Sequence, residues 1–239
     1  MAYSEMQLLE RWESRREIKN LMGKYTLDCL NKQEGTIVAN HFSSREDISY
    51  GTNDGYYAGR EAVTEYYQAV CAFNRFKESL IKDTFPKLKD TPLSQLEGAG
   101  VFDDRPCSMP VIEIAGDGQT AKGIWYCMGS NADVTSGGIA SYWTWGYYTA
   151  DFILEDGSWK FWHLVYENDI ETLCGQTWTR ENEPYPELES MKAVKDFDFP
   201  KPNVPVKLRE PYTPRRKFTR TPRLPEPYTT FAETFSYGV

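Results

Sequence analysis

Histidine is nearly absent from this chain: His41 and His163 are the only two in 239 residues. Few side chains are therefore left that titrate near neutrality without help. Cysteine is sparse as well. Cys29, Cys71, Cys107, Cys127 and Cys174 are odd in number and scattered, with no CxxC pair and no Cys/His cluster. Neither a zinc site nor a disulfide framework is indicated, no metal is expected, and the thiols read as buried and free. No stretch approaches the ~20 apolar residues that a bilayer-spanning helix needs. The opening MAYSEMQLLERWESRREIK is charged throughout and lacks the apolar run of a secretion signal. Basic excess is missing too. A net charge of −8 argues against nucleic acid or an anionic membrane as partner, and a cytoplasmic protein is expected.

What the chain does have is aromatic side chains: seven Trp, sixteen Tyr and twelve Phe. At that density they line clefts as well as cores. The length suits one large domain, or one domain with an appendage. Residues 4 to about 32 read as one long helix, with Ser4 and Gln7 at capping-box spacing and Leu8, Trp12, Ile18, Leu21, Met22, Tyr25 and Cys29 at helical intervals. A short helix over 35–43 and a strand near Asp47–Tyr50 follow, and Gly59 precedes a third helix that starts REAVTEYYQAV. Between Phe85 and Met109 the periodicity dissolves, which predicts a long loop, either an entrance wall or a plain insertion.

Two hairpins close this part of the chain. PVIEIAGDGQTAKGIWYCMG turns at Asp117-Gly118, with Ile112, Ile114, Ala121, Gly123, Trp125 and Cys127 on one face and Glu113 opposing Lys122 on a solvent-facing side. ASYWTWGYYTADFILEDGSWKFWHLVYENDI turns at Asp156-Gly157, the pair suited to a type I′ connection. Strict alternation from that turn puts Phe152 opposite Phe161 and Ala150 opposite His163. One face then carries Tyr148, Ala150, Phe152, Phe161, His163, Val165 and Glu167, and reads as a pocket wall. The other carries Trp143, Trp145, Asp151, Lys160, Trp162 and Tyr166; it is too apolar to face water and is expected to meet another subunit. Gly123 and Gly146, inside strands, suggest bends.

After Cys174 the composition changes. Ten of the fourteen prolines lie there, and Glu-Pro-Tyr recurs at 183–185, 210–212 and 226–228. This reads as an extended arm, residues 176–239, on a domain of residues 1–175. Its aromatic content predicts that it wraps its own domain or a neighbouring subunit.

Three helices followed by a curled antiparallel sheet is an α+β layout. YYAGREAVTEYY resembles the entry to the third helix of the NTF2-like superfamily, SnoaL-like branch. PVIEIAGDGQTAKGIWY and GYYTADFILEDGSWKFWHL resemble that branch's first and last hairpins. The resemblance spans about residues 5–172 and implies a cone-shaped cavity between helices and sheet. It also implies cofactor-free acid–base chemistry of the kind found in scytalone dehydratase, bile-acid 7α-dehydratase, polyketide cyclases and γ-formaldehyde lyases. Tyr25 matches the helix tyrosine that polarises substrate in these relatives; Asp28 is close to the expected aspartate, and Asn31 competes for that place. Several of the dehydratases carry a histidine before the first hairpin, where this chain has Asp104 and Arg105. The base role then falls to His163.

The expectation is thus a lyase that takes water or formaldehyde from a hydrophobic, aromatic or polycyclic hydroxylated molecule, with no cofactor. His163, Tyr25 and Asp28 are the expected catalytic residues. Tyr148, Trp125, Phe161, Glu167, Arg105, Tyr57 and Asn31 are the expected substrate contacts. The assembly is expected to be a dimer or trimer. An isomerase or cyclase using the same pocket, or a non-catalytic binding module, would fit the same residues. His163 as a hydrogen-bonded core histidine is the plainer alternative.

Overall fold

In the computed structural model, which describes residues 3–96, 98–135, 138–179, 197–217 and 222–239, three helices pack on one eight-stranded sheet. Helix α1 (Glu5–Leu30) starts at the capping box read from the sequence: Ser4 Oγ accepts from the Gln7 N–H and the Gln7 side chain accepts from the Ser4 N–H. It buries Ile18, Leu21, Met22 and Tyr25. Helices α2 (Glu34–His41) and α3 (Arg60–Thr84) follow. The strands are β1 (Ser49–Thr52), β2 (Gly55–Ala58), β3 (Phe102–Asp104), β4 (Cys107–Ile114), β5 (Thr120–Thr135), β6 (Gly138–Glu155), β7 (Ser158–Leu173) and β8 (Val204–Pro205). They run in the order β3-β5-β6-β7-β1-β2-β8, with β4 also paired to β5. Only the β1–β7 pairing among these is parallel, so the sheet is mixed, and its path does not close. The main core lies between the helices and the inner face of β4–β7. This is the α+β NTF2-like arrangement.

The last hairpin turns at Asp156 (φ 48°) and Gly157 (φ 75°), as the type I′ reading requires. Phe152 opposes Phe161, also as expected. One step further the register shifts, and Asp151, not Ala150, opposes His163. An extra residue on one strand turns every later side chain to the opposite face. The expected stripe is corrected accordingly. Leu164 and Tyr166 join Tyr148, Ala150, Phe152 and Phe161 in the core, with Tyr166 stacked on Tyr148 at 4.8 Å. His163, Val165 and Glu167 go outward. A second shift lies between Trp145 and Gly146, and a Cβ at Gly146 would stand 2.2 Å from the Glu167 carbonyl oxygen. Glycine is required by that close approach.

The outer face is not open where the sequence suggests. Glu113 does oppose Lys122, yet Lys122 is completely buried. Its ammonium lies 2.5 Å from Asp151 Oδ1 and 4.5 Å from the ring centres of both Phe231 and Phe235. Asp151 Oδ2 accepts from the Ser236 hydroxyl (2.9 Å) and the Tyr237 N–H (2.8 Å). The C-terminal residues therefore cap this part of the sheet. Further back, β8 pairs with β2, the Leu208 N–H reaches the Asn53 carbonyl, and Arg209 and Arg216 both bind Asp169. Trp162 packs against Phe231 (4.6 Å) and the Arg45 guanidinium (4.8 Å). Trp162 and Tyr166 thus do not form one exposed apolar face with Trp143 and Trp145; Trp143 alone of the four is 43% exposed. The Glu183-Pro184-Tyr185 copy of the repeated motif lies outside the described residues.

The stretch between Phe85 and Met109 is more ordered than its lost periodicity implies. Leu96 and Val101 pack with Ile81 and Val134 in a small second core, and β3 pairs with β5. That pairing fixes Asp103 and Arg105 beside the helices.

Candidate active site

A cavity of about 280 Å3 opens between α1, α2, α3, the β3 segment and the inner face of β5 and β6. Tyr25 comes from the buried stripe of α1, and Tyr66 and Tyr67 from α3. Tyr50 is supplied by β1 and Tyr148 by β6. The Tyr25 and Tyr67 hydroxyls are 3.1 Å apart. Tyr50 and Tyr66 rings are 4.6 Å apart, and Tyr148 meets Tyr25 edge-on at 5.8 Å. Burial holds the phenols of Tyr25, Tyr50, Tyr67 and Tyr148 well above the ordinary tyrosine range. They stay protonated and act as hydrogen-bond donors.

The charged residues of the wall come in pairs. Arg105 Nε stands 2.8 Å from Asp103 Oδ1, and its guanidinium lies 4.8 Å over the Tyr166 ring. Burial alone opposes the guanidinium charge; Asp103, Tyr166 and Tyr148 more than offset it, so Arg105 remains cationic. Lys77 reaches Asp133 at 2.6 Å, and the Tyr142 hydroxyl donates to the other Asp133 oxygen at 2.8 Å. Glu34, at the start of α2, is 5% exposed and accepts from the Asn74 amide at 3.1 Å. Burial raises its pKa above the usual carboxylate value. Beside it the Cys29 thiol is pushed up to about 12, chiefly by burial, and stays protonated. The cavity thus brings a buried carboxylate with enhanced basicity, a set of phenol donors and a fixed guanidinium to one aromatic-walled space.

Of the residues singled out from sequence, Tyr25, Tyr148 and Arg105 line this cavity. Phe161 sits behind it, 5.5 Å from Tyr25, and Trp125 packs deeper against Phe152 at 5.9 Å. Tyr57 stacks on Tyr66 and donates to the Pro200 carbonyl. Asp28 turns instead toward His41, with Nε2 to Oδ2 at 2.7 Å, and Asn31 is the C-cap of α1. Glu167 is buried on the outer face, where burial raises its pKa against the influence of Arg209.

His163 is also outward. Its Nδ1 is 2.9 Å from Ser49 Oγ, it stacks on Trp162 at 4.9 Å, and the Gly238 backbone lies against its ring. Burial lowers its pKa, so the imidazole is neutral. The bulge that separates it from Phe161 puts the sheet between it and Tyr25, which corrects its expected place on the cavity wall.

Sequence reasoning missed Glu34, Tyr67, Lys77, Asp103 and Asp133. The adjacent Tyr66-Tyr67 pair on α3 carried a usable signal, since two hydroxyl-bearing rings in an apolar stripe need partners. Glu34 gave none, lying in a short polar link between helices.

A fold of this kind, with its cavity between helices and curled sheet, defines a class of α+β cones. The chain belongs to the SnoaL-like domain family, whose model matches residues 10–165. No protein of curated function matches it. Solved structures are similar to it. A LinA-type hexachlorocyclohexane dehydrochlorinase from Novosphingobium barchaimii is 18% identical, with 71% of this chain and 95% of that one covered at a TM-score of 0.50. A candidate scytalone dehydratase from Novosphingobium aromaticivorans is 14% identical over 70% of this chain and 92% of that one, TM-score 0.48. Rv3472 from Mycobacterium tuberculosis, a protein of unknown function, is 20% identical over 82% and 91%, TM-score 0.49. At these identities the likeness is one of fold.

Proposed function

We propose that this protein is a cofactor-independent lyase acting on a hydroxylated aromatic or polycyclic small molecule, with Glu34 as base and Tyr25 as proton donor. The observation that carries this reading is the meeting of Glu34, whose basicity is raised by burial, with the Tyr25–Tyr67 phenol pair in one cavity. A carboxylate of raised basicity and a neutral phenol are the equipment that elimination needs. In a dehydration, Glu34 removes a proton from carbon while Tyr25 donates to the departing hydroxyl, which leaves as water. In a retro-aldol step, Glu34 takes the hydroxyl proton, the carbon–carbon bond breaks to release formaldehyde, and Tyr25 returns a proton to the carbanionic carbon. Arg105 stabilises negative charge that develops on a substrate oxygen. The tyrosine walls supply apolar area for a flat ring system. The dehydrochlorinase with this fold also names an elimination, which favours the lyase over an isomerase.

The test is a screen of aromatic and polycyclic alcohols, followed by mass spectrometry for loss of water and by a formaldehyde assay. Turnover of such alcohols is the expected outcome. Binding without turnover across the panel would contradict the proposal and favour a carrier.

A further inference from the structure

Cys107 opens β4, and Cys127 lies directly opposite it on β5. Directly paired antiparallel residues hold their Cα atoms about 4.5–5.5 Å apart, inside the roughly 4.4–6.8 Å window that a disulfide spans. Both side chains point to the inner side of the sheet: Cys127 is fully buried in the main core and Cys107 packs against it. The Cys107 sulfur lies 3.7 Å from the Arg105 carbonyl, and the two thiols perturb each other, Cys107 being held above and Cys127 below the ordinary thiol range. Both are reduced here. The backbone next to them has room to adjust, since the β4 register shifts between Ser108 and Val111 and Met109 has φ 48°.

We propose that Cys107 and Cys127 are a redox pair that closes to a cross-strand disulfide when the protein meets a peroxide. Cys127, whose anion is favoured over that of its partner, attacks the peroxide as thiolate. The O–O bond breaks, one oxygen stays on sulfur as a sulfenic acid, and the other leaves with a proton as water or alcohol. The Cys107 sulfur then displaces the sulfenic hydroxyl, which leaves as water with the second thiol proton. Two thiols lose two electrons and two protons, and the peroxide takes up both. Arg105 favours the anionic sulfur: the hydrogen bond from Cys107 pulls the Cys127 thiol down, burial opposes it, and the guanidinium adds to the pull. The bond fastens the strand that leaves Arg105 to the centre of the sheet, so one wall of the cavity becomes sensitive to oxidant. Cys29, the third thiol in this region, comes from α1 and faces neither sulfur in a strand register.

The experiment uses the purified full chain, treated with hydrogen peroxide, alkylated and digested for mass spectrometry. A peptide linked through Cys107 and Cys127 is expected, with a rise of several degrees in Tm as the closed loop restrains the unfolded chain. Dithiothreitol should reverse both. Cys127→Ala should lose the Tm rise while Cys29→Ser keeps it. If Cys127→Ala does not fold, Cys107→Ser supplies the same comparison. The proposal is overturned if both cysteines remain alkylatable after peroxide, if either goes to sulfinic acid with no link, or if the link runs through Cys29 or Cys174.

Discussion

Replacing Lys122 with Met tests how the C-terminal residues are held on the sheet. The Lys122–Asp151 pair has no exposed side-chain surface, and four aromatic rings of the C-terminal stretch stand 4.5–5.9 Å from the ammonium. Burial lowers the Lys122 pKa and Asp151 works against that fall, so the pair coheres only while both charges are present. Removing one partner of a buried pair leaves the other uncompensated, at a cost of about 3–5 kcal/mol. For a chain of this size that corresponds to a Tm loss of roughly 6–20 °C, at about 2–4 °C per kcal/mol. Met keeps the length and apolar contact of the lysine stem, so the loss reports the charge and not a cavity. Urea unfolding followed by tryptophan fluorescence is the assay, because Trp162 lies under Phe231 and senses release of the C-terminal segment. Lys122→Met combined with Asp151→Leu should recover part of the loss, limited by the Ser236 and Tyr237 donors then left without Asp151. A Lys122→Met protein within about 1 kcal/mol of wild type would refute the reasoning.

Two further perturbations follow from the same geometry. Glu34 has a folded pKa above its unfolded value, so its contribution to stability is present below the unfolded pKa and lost as pH rises through the folded one. Glu34→Gln should therefore gain stability relative to wild type as pH rises above the ordinary carboxylate range, measured by urea midpoints; a difference that does not change with pH would sink the idea. Gly238→Ala would place a methyl 2.2 Å from His163 Cγ and 2.6 Å from Ser49 Oγ. It should cost about 1–3 kcal/mol through overpacking and speed hydrogen exchange at the Tyr237 amide, whereas unchanged exchange would show that the segment shifts at no cost.

Much of this fold is legible in the sequence because its signals are local. The Ser4–Gln7 box sets where α1 begins, Asp156-Gly157 sets the last turn, and the helical spacing picks out Tyr25 as buried. Errors begin where one residue's register depends on distant chain. Nothing in GSWKFWHLVYEND announces the bulge beyond Phe161, yet that single step turns His163 and Glu167 away from the cavity and brings Tyr166 in. Lys122 looks solvent-facing by alternation, and is buried only because residues more than 100 positions later cover it. The candidate site was half legible for a similar reason: Tyr25 and Tyr148 came from patterns within elements, and Arg105 from its place just before the first hairpin. Glu34 and Asp103 reach the cavity through helix packing and a three-residue strand that no periodicity marks.

The central claim is that proton transfer takes place inside the cavity, at Glu34 and Tyr25, and not at His163 on the outer face. The most direct measurement is kcat/KM for Glu34→Gln, Tyr25→Phe and His163→Ala on an aromatic alcohol that the wild type turns over. Glu34→Gln and Tyr25→Phe should each lower it by about 10²–10⁴-fold with circular dichroism unchanged, while His163→Ala retains activity in proportion to the protein that stays folded. Loss of activity in a fully folded His163→Ala protein, with Glu34→Gln at the wild-type rate, would contradict the account.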